Sequence, residues 1–223
     1  MRIRPSTFAF TLIETITAMA VIIILTGLVL SISGYVTRRG SQARAQGEIA
    51  AMSAACESYK AENGAYPQDK LPNFDKGLTD QLDPREDFIP TKGKYEDAGM
   101  FLYKELTGDR KGKSGEVPDG IADDNDQRYL KDFDPKMVKW GENKVYFQDP
   151  FGYAYGYSTA AALVEQKFQH DLKSKGAKAT REEPEGFNSA SYDMWSTGGS
   201  RPGSQPTEQK KKELEWAKWI KNW

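Results

Sequence analysis

Residues 8–36, "FAFTLIETITAMAVIIILTGLVLSISGYV", form an apolar run that holds a single charge, Glu14. Between Glu14 and Arg38 stand 23 uncharged residues. As a helix they extend roughly 35 Å at about 1.5 Å per residue, enough for a bilayer core of about 30 Å. A segment apolar on every face has to lie in lipid or among other apolar helices, so this run constrains the architecture more than any other stretch. The apolar part of a cleaved secretory signal usually spans about 7–15 residues, which is shorter, and a retained single-pass anchor is the simpler reading. Flanking charge leaves orientation open, because Arg2 and Arg4 precede the run while Arg38, Arg39 and Arg44 follow it.

Mean hydropathy is −0.69 even with this run included, so the rest of the 223 residues is strongly polar and reads as a globular region outside the membrane. A formal net charge of −1 gives no global bias toward nucleic acid or acidic partners. Cys56 is the sole cysteine, so no intrachain disulfide can form and the fold must hold by packing.

Ile49, Met52, Cys56 and Tyr59 recur at spacings of three, four and three, an apolar stripe on a helix. Gly64 and then Pro67 supply a helix stop in the usual order. One helix is therefore expected from about residue 10 to about residue 62, apolar all round in its first half and amphipathic in its second. A loop-rich stretch (65–97) follows, then a short helix in "DAGMFLYKELTGD" (97–109) with Phe101, Leu102 and Leu106 on one face, and a polar loop over 108–126. In "VYFQDPFGYAYGYS" (145–158), Asp149, Pro150 and Gly152 occupy the preferred places of a type I turn. Tyr153, Tyr155 and Tyr157 alternate with small residues as in a strand. Val164, Phe168 and Leu172 predict a helix, "SYDMWSTGG" (191–199) predicts a strand, and 198–212 a polar loop. Trp216, Trp219, Ile220 and Trp223 fall on one face of a terminal helix.

The segment "AFTLIE" (9–14), opening an apolar helix, resembles the type IV pilin and type II secretion pseudopilin family. The resemblance continues in order along the chain: "YKAENGAYP" (59–67) is similar to the segment that closes the family's long helix, "DPFGYAYGYS" (149–158) to the Asp-Pro-Trp-Gly hairpin of the major pseudopilin, and "YDMWSTGG" (192–199) with "IKNW" (220–223) to that subunit's last strand and closing segment. It implies cleavage of a leader, residues 1–9, between Ala9 and Phe10, methylation of the new Phe10 amine, and an assembly role for Phe10 and Glu14. The family usually has Gly where this chain has Ala9, and commonly a Pro in the middle of the apolar helix, which this chain lacks between Pro5 and Pro67. The major pseudopilin also binds calcium through acidic residues in the loop after its last strand, whereas the loop here, "GGSRPGSQPTEQKKK", carries no Asp.

Other candidate sites are weaker. "DGIADDND" offers Asp119, Asp123, Asp124 and Asp126 as oxygen ligands for calcium, although their spacing is not that of an EF-hand and a solvated acidic loop is the commoner outcome. The terminal Trp stripe, with Lys210 to Lys212, Lys218 and Lys221 beside it, fits a partner subunit or a membrane surface or, more simply, packing on its own domain. His170 has no second His or Cys near it in sequence, and Cys56 lies on the apolar helical stripe, so neither marks a catalytic centre.

The fold class expected is α+β and pilin-like: a long N-terminal α-helix, membrane-spanning over 10–37, then packed on a small antiparallel sheet within a periplasmic domain, 38–223. The resemblance implies a non-enzymatic subunit of a type II secretion pseudopilus, held in the bacterial inner membrane until assembly. No cofactor is expected, calcium being the one ion in question. Its partners would be copies of itself, other pseudopilins, the prepilin peptidase and the inner-membrane secretion platform, with no nucleic acid. The alternatives are a true or minor pilin for adhesion, motility or DNA uptake, and a membrane-anchored binding module or enzyme that uses 10–37 only as an anchor.

Overall fold

The computed structural model describes residues 11–91, 93–110, 119–123, 126–141, 144–183 and 185–223, with the side chains of 29–33 outside that set. The chain divides into two compact units, residues 1–41 and 42–223. Helix α1 is Leu12–Asn63. Its end agrees with the sequence reading: Gly64 takes φ 75° and donates its N–H to the Lys60 carbonyl at 2.8 Å. A left-handed residue just past the last turn is the glycine stop, and Pro67 then prevents the helix from resuming.

In the first unit every apolar side chain described is exposed, from Leu12 to Leu28 and again at Tyr35 and Val36. Among the described residues no helix is long and apolar enough to cross a membrane.

The second unit is α+β. Along α1, Ala45, Ile49, Met52 and Cys56 are buried on one face and Tyr59 is half-buried against the same core. Helix α2 is Gly93–Thr107, starting four residues before the expected Asp97, because Tyr95 and Ala98 also turn inward. The Tyr95 hydroxyl donates to the Asp87 carbonyl at 2.5 Å and anchors that first turn. Leu102 and Leu106 are buried as expected, with Phe101 half-buried.

Among the described residues, five short strands follow. Strand β1 (Val138–Trp140) pairs antiparallel with β2 (Val145–Phe147). Strand β3 (Gly156–Ser158) pairs antiparallel with β4 (Asp193–Ser196), and β4 with β5 (Ile220–Lys221). Helix α3, Ala160–Lys175, lies between β3 and β4 in sequence and buries mainly its first turn, Ala160 to Val164, leaving Leu172 exposed.

The tyrosine segment pairs as a strand over Gly156–Ser158, and Ala154, Tyr155, Gly156 and Tyr157 are all buried, because both faces are covered. Tyr155 and Tyr157 face the core built on α1, while Ala154 belongs to a second core with Phe88, Tyr95 and Trp195. One sequence expectation is corrected: the four terminal residues do not share a helical face. Helix α4 (Gln209–Trp216) ends at Trp216, and Ile220 extends to pair with Ser196, which gives the edge of β4 its backbone partners. The tryptophans nevertheless pack on their own domain. Trp219 stacks on Trp195 with centroids 5.7 Å apart and planes at 5°, and Trp216 meets Phe88 and Phe187.

Candidate functional site

The first candidate is the start of α1. Thr11 precedes the helix, and Glu14 closes its first turn. Glu14 Oε2 accepts from the Thr11 backbone N–H and from the Thr11 hydroxyl, both at 2.8 Å, and the Glu14 N–H donates back to Thr11 Oγ1 at 3.4 Å. This reciprocal pattern is a capping box, Thr-x-x-Glu. It satisfies helix-end donors that no preceding turn can satisfy and places the carboxylate at the positive end of the helix dipole. The sequence signal for it is "TLIE", residues 11–14. Ala9 and Phe10 lie outside the described residues.

The threonines beyond it are also satisfied within the helix. Thr15 donates to the Leu12 carbonyl at 2.8 Å, Thr17 to Ile13 at 2.9 Å and Thr26 to Ile22 at 2.7 Å. Each hydroxyl folded back in this way presents methyl rather than unpaired oxygen to its surroundings, so these three threonines do not spoil the apolar character of the run.

The second candidate is the turn at Asp149. Gly152 donates its N–H to the Asp149 carbonyl at 2.9 Å, closing the expected turn. The buried Asp149 carboxylate accepts from the N–H groups of Phe151 and Tyr153 at 3.0 and 2.9 Å, and from Ser196 Oγ at 2.6 Å. Ser196 Oγ in turn accepts from Gly198 N–H at 3.0 Å. Asp149 thus ties the turn to the end of β4 and to the loop after it. No sequence pattern announces the Asp149–Ser196 pair. Gly198 and Gly199 both take positive φ there, and Gly199 lies so close to the Phe151 ring that an added Cβ would stand 2.8 Å from it.

Burial pushes the Asp149 carboxyl above the ordinary carboxylate value, with the hydrogen bonds opposing, and the same holds for Asp193 and Asp80. For each, the folded chain holds a proton more tightly than the unfolded chain. Their contribution to stability is fully present below the ordinary carboxylate value and is lost as pH rises through the raised one. The stability contributed by these three carboxyls should therefore rise as pH is lowered toward the ordinary carboxylate value of about 4. Urea unfolding of wild type and of Asp149→Asn at several pH values measures this, and a difference between the two that does not change with pH would contradict it.

Among the described residues the carboxylates of the acidic loop accept from the chain's own donors. Asp119 Oδ1 accepts from Ile121 N–H at 3.1 Å, Asp123 Oδ2 from Arg110 N–H at 3.0 Å, and Asp126 pairs with the Arg110 guanidinium at 3.7 Å. Asp124 lies outside the described residues. The buried carboxylate in this region is Asp109, which accepts from Tyr103 hydroxyl at 2.8 Å and Gly120 N–H at 2.7 Å. Among the described residues no group of three or more His, Cys, Asp or Glu side chains could hold a metal ion. In the loop after β4 the first carboxylate is Glu208, paired with Lys211 at 2.7 Å. Millimolar calcium should leave the melting temperature of the detergent-extracted chain nearly unchanged. A bound ion at a hundred times its Kd would add about 2.7 kcal/mol, and a chelator-reversible rise of many degrees would refute the expectation.

His170 is exposed with its ring 5.1 Å from that of Phe74. Cys56 is buried and its thiol is pushed well up by that burial, so it is core rather than nucleophile. Compared with known protein families, curated proteins and solved structures, the chain matches none.

Proposed function

We propose that the chain is a structural, non-catalytic subunit of a type II secretion pseudopilus, processed at Ala9–Phe10, held in the inner membrane by residues 10–37 and drawn into a periplasmic filament that serves protein secretion. The observation that carries the reading is Glu14: the sole charge between Arg4 and Arg38, fixed in the first turn of a 52-residue helix, four residues from the predicted new N-terminus. The Thr hydroxyls folded back onto the helix support a lipid environment for the run, as does the absence of any charge between Glu14 and Arg38. In a filament, neighbouring apolar helices replace lipid, so the run never has to meet water. The second unit supports the α+β part of the resemblance, with the buried face of α1 and the Asp149 turn where the motifs placed them.

The Thr11–Glu14 box favours one rival, a plain anchored module, because it gives Glu14 a local task that needs no partner. Intact mass of the membrane-extracted chain separates them. Loss of residues 1–9 and one added methyl are expected, shifting the formal net charge from −1 to −3 as Arg2 and Arg4 leave. A mature chain starting at Met1, or near Ser33, would overturn the proposal.

A further inference from the structure

The first basic residues after the apolar run are Arg38 and Arg39, and both are exposed. Arg39 Nε donates to the Tyr35 hydroxyl at 3.0 Å, and its guanidinium lies over the Tyr35 ring, 5.3 Å from the centroid. Tyr35 itself is 63% exposed. Among the described residues no carboxylate pairs with Arg38 or Arg39, whereas Arg44 is held by Glu48 at 2.6 Å and Asp134 at 3.2 Å. Two cations with no counter-ion among the described residues and an exposed tyrosine thus stand together where the uncharged run ends.

We infer that Tyr35, Arg38 and Arg39 form a collar that binds the phosphates of anionic glycerophospholipids at the membrane surface. The inference rests on the proposed membrane-embedded reading of residues 10–37. The charge is complementary, and the guanidinium fork suits phosphate oxygens better than an ammonium does. Tyrosine is an interfacial residue because its ring is apolar and its hydroxyl wet. Here the hydroxyl also takes one Arg39 donor and limits the freedom of that side chain, so less entropy is lost on binding a headgroup. Consecutive helical residues project about 100° apart, so the two arginines address separate lipids. Each basic residue near an anionic surface contributes about fivefold to affinity.

The test uses the full chain in vesicles of phosphatidylcholine containing a minor fraction of spin-labelled phosphatidylglycerol, with a spin-labelled phosphatidylcholine control. Carbonate extraction is run on the same vesicles. The collar predicts an inserted chain with a preference for phosphatidylglycerol of about fivefold at each of two lipid positions at low salt, one of the two lost in Arg38→Gln and the other in Arg39→Gln, and weakening as salt is raised. Arg39→Lys should retain part of it. An inserted, carbonate-resistant chain with no such preference, or a preference unchanged in the double glutamine variant, overturns the collar and leaves the membrane reading standing. A chain that carbonate strips from the vesicles overturns both.

Discussion

Gly156→Val should cost the second unit most of its stability, and Gly156→Ala about 3 kcal/mol or more. Gly156 stands directly opposite Trp195 in the β3–β4 ladder, and the Trp195 ring lies flat on it. A Cβ at Gly156 would overlap ring carbons of Trp195, so the indole would have to move. It cannot move cheaply. Trp195 is fully buried, stacked on Trp219 and edge-on to Tyr95 at 5.7 Å, and its Nε1 donates to the Tyr95 hydroxyl at 3.2 Å. Overpacking a filled core commonly costs about 1–3 kcal/mol, and here it also strands buried donors at about 1–3 kcal/mol each. Domain stabilities are about 5–15 kcal/mol, so the valine variant should be largely unfolded. Gly203→Ala is the control, since nothing lies within 4 Å of its added Cβ. Urea midpoints followed by tryptophan fluorescence decide it. A Gly156→Ala variant within about 0.5 kcal/mol of wild type, the usual range for an inconsequential surface change, would show that the indole has room to shift.

That contact also marks the limit of what the sequence reveals. Features that repeat or cluster locally were legible: the Ile49–Met52–Cys56 stripe, the Gly64–Pro67 stop, the Asp149–Gly152 turn and the strand at 193–196. Contacts between distant residues leave no period. Gly156 against Trp195, Asp149 with Ser196, and Tyr155 hydroxyl on Glu48 at 2.5 Å join segments separated by dozens of residues. The C-terminus misled for a related reason. Positions 216, 219, 220 and 223 have helical spacing, but the spacing serves an aromatic cluster, and a two-residue strand is too short to show a period of its own. At the N-terminus the charge of Glu14 was read and the cap it shares with Thr11 was not.

That shared cap sharpens the test of the proposed assembly role of Glu14, in which its carboxylate meets the Phe10 amine of a neighbouring copy. The cap alone contributes about 0.5–2 kcal/mol to the helix, and glutamine serves it as glutamate does. Charge pairing is different in kind. An amine left unmatched among apolar helices costs about 3–5 kcal/mol, equivalent to more than a hundredfold per contact, and a subunit displaced along the filament would leave both charges unmatched. Glu14→Leu should insert in the membrane, since it makes the run more apolar, and leave the second unit folded, yet fail to enter filaments. Thr11→Ala removes a capping hydroxyl while keeping the carboxylate, and should assemble nearly as wild type does.

The decisive measurement is the fraction of Glu14→Gln recovered in sheared or cross-linked filaments, relative to its membrane level, in cells that carry the rest of the secretion machinery. The account predicts a membrane level like that of wild type and a steep fall in the filament fraction. Glu14→Gln filaments at the wild-type fraction would contradict it, because a neutral amide that preserves the Thr11 cap would then be sufficient and the carboxylate would have no partner to meet.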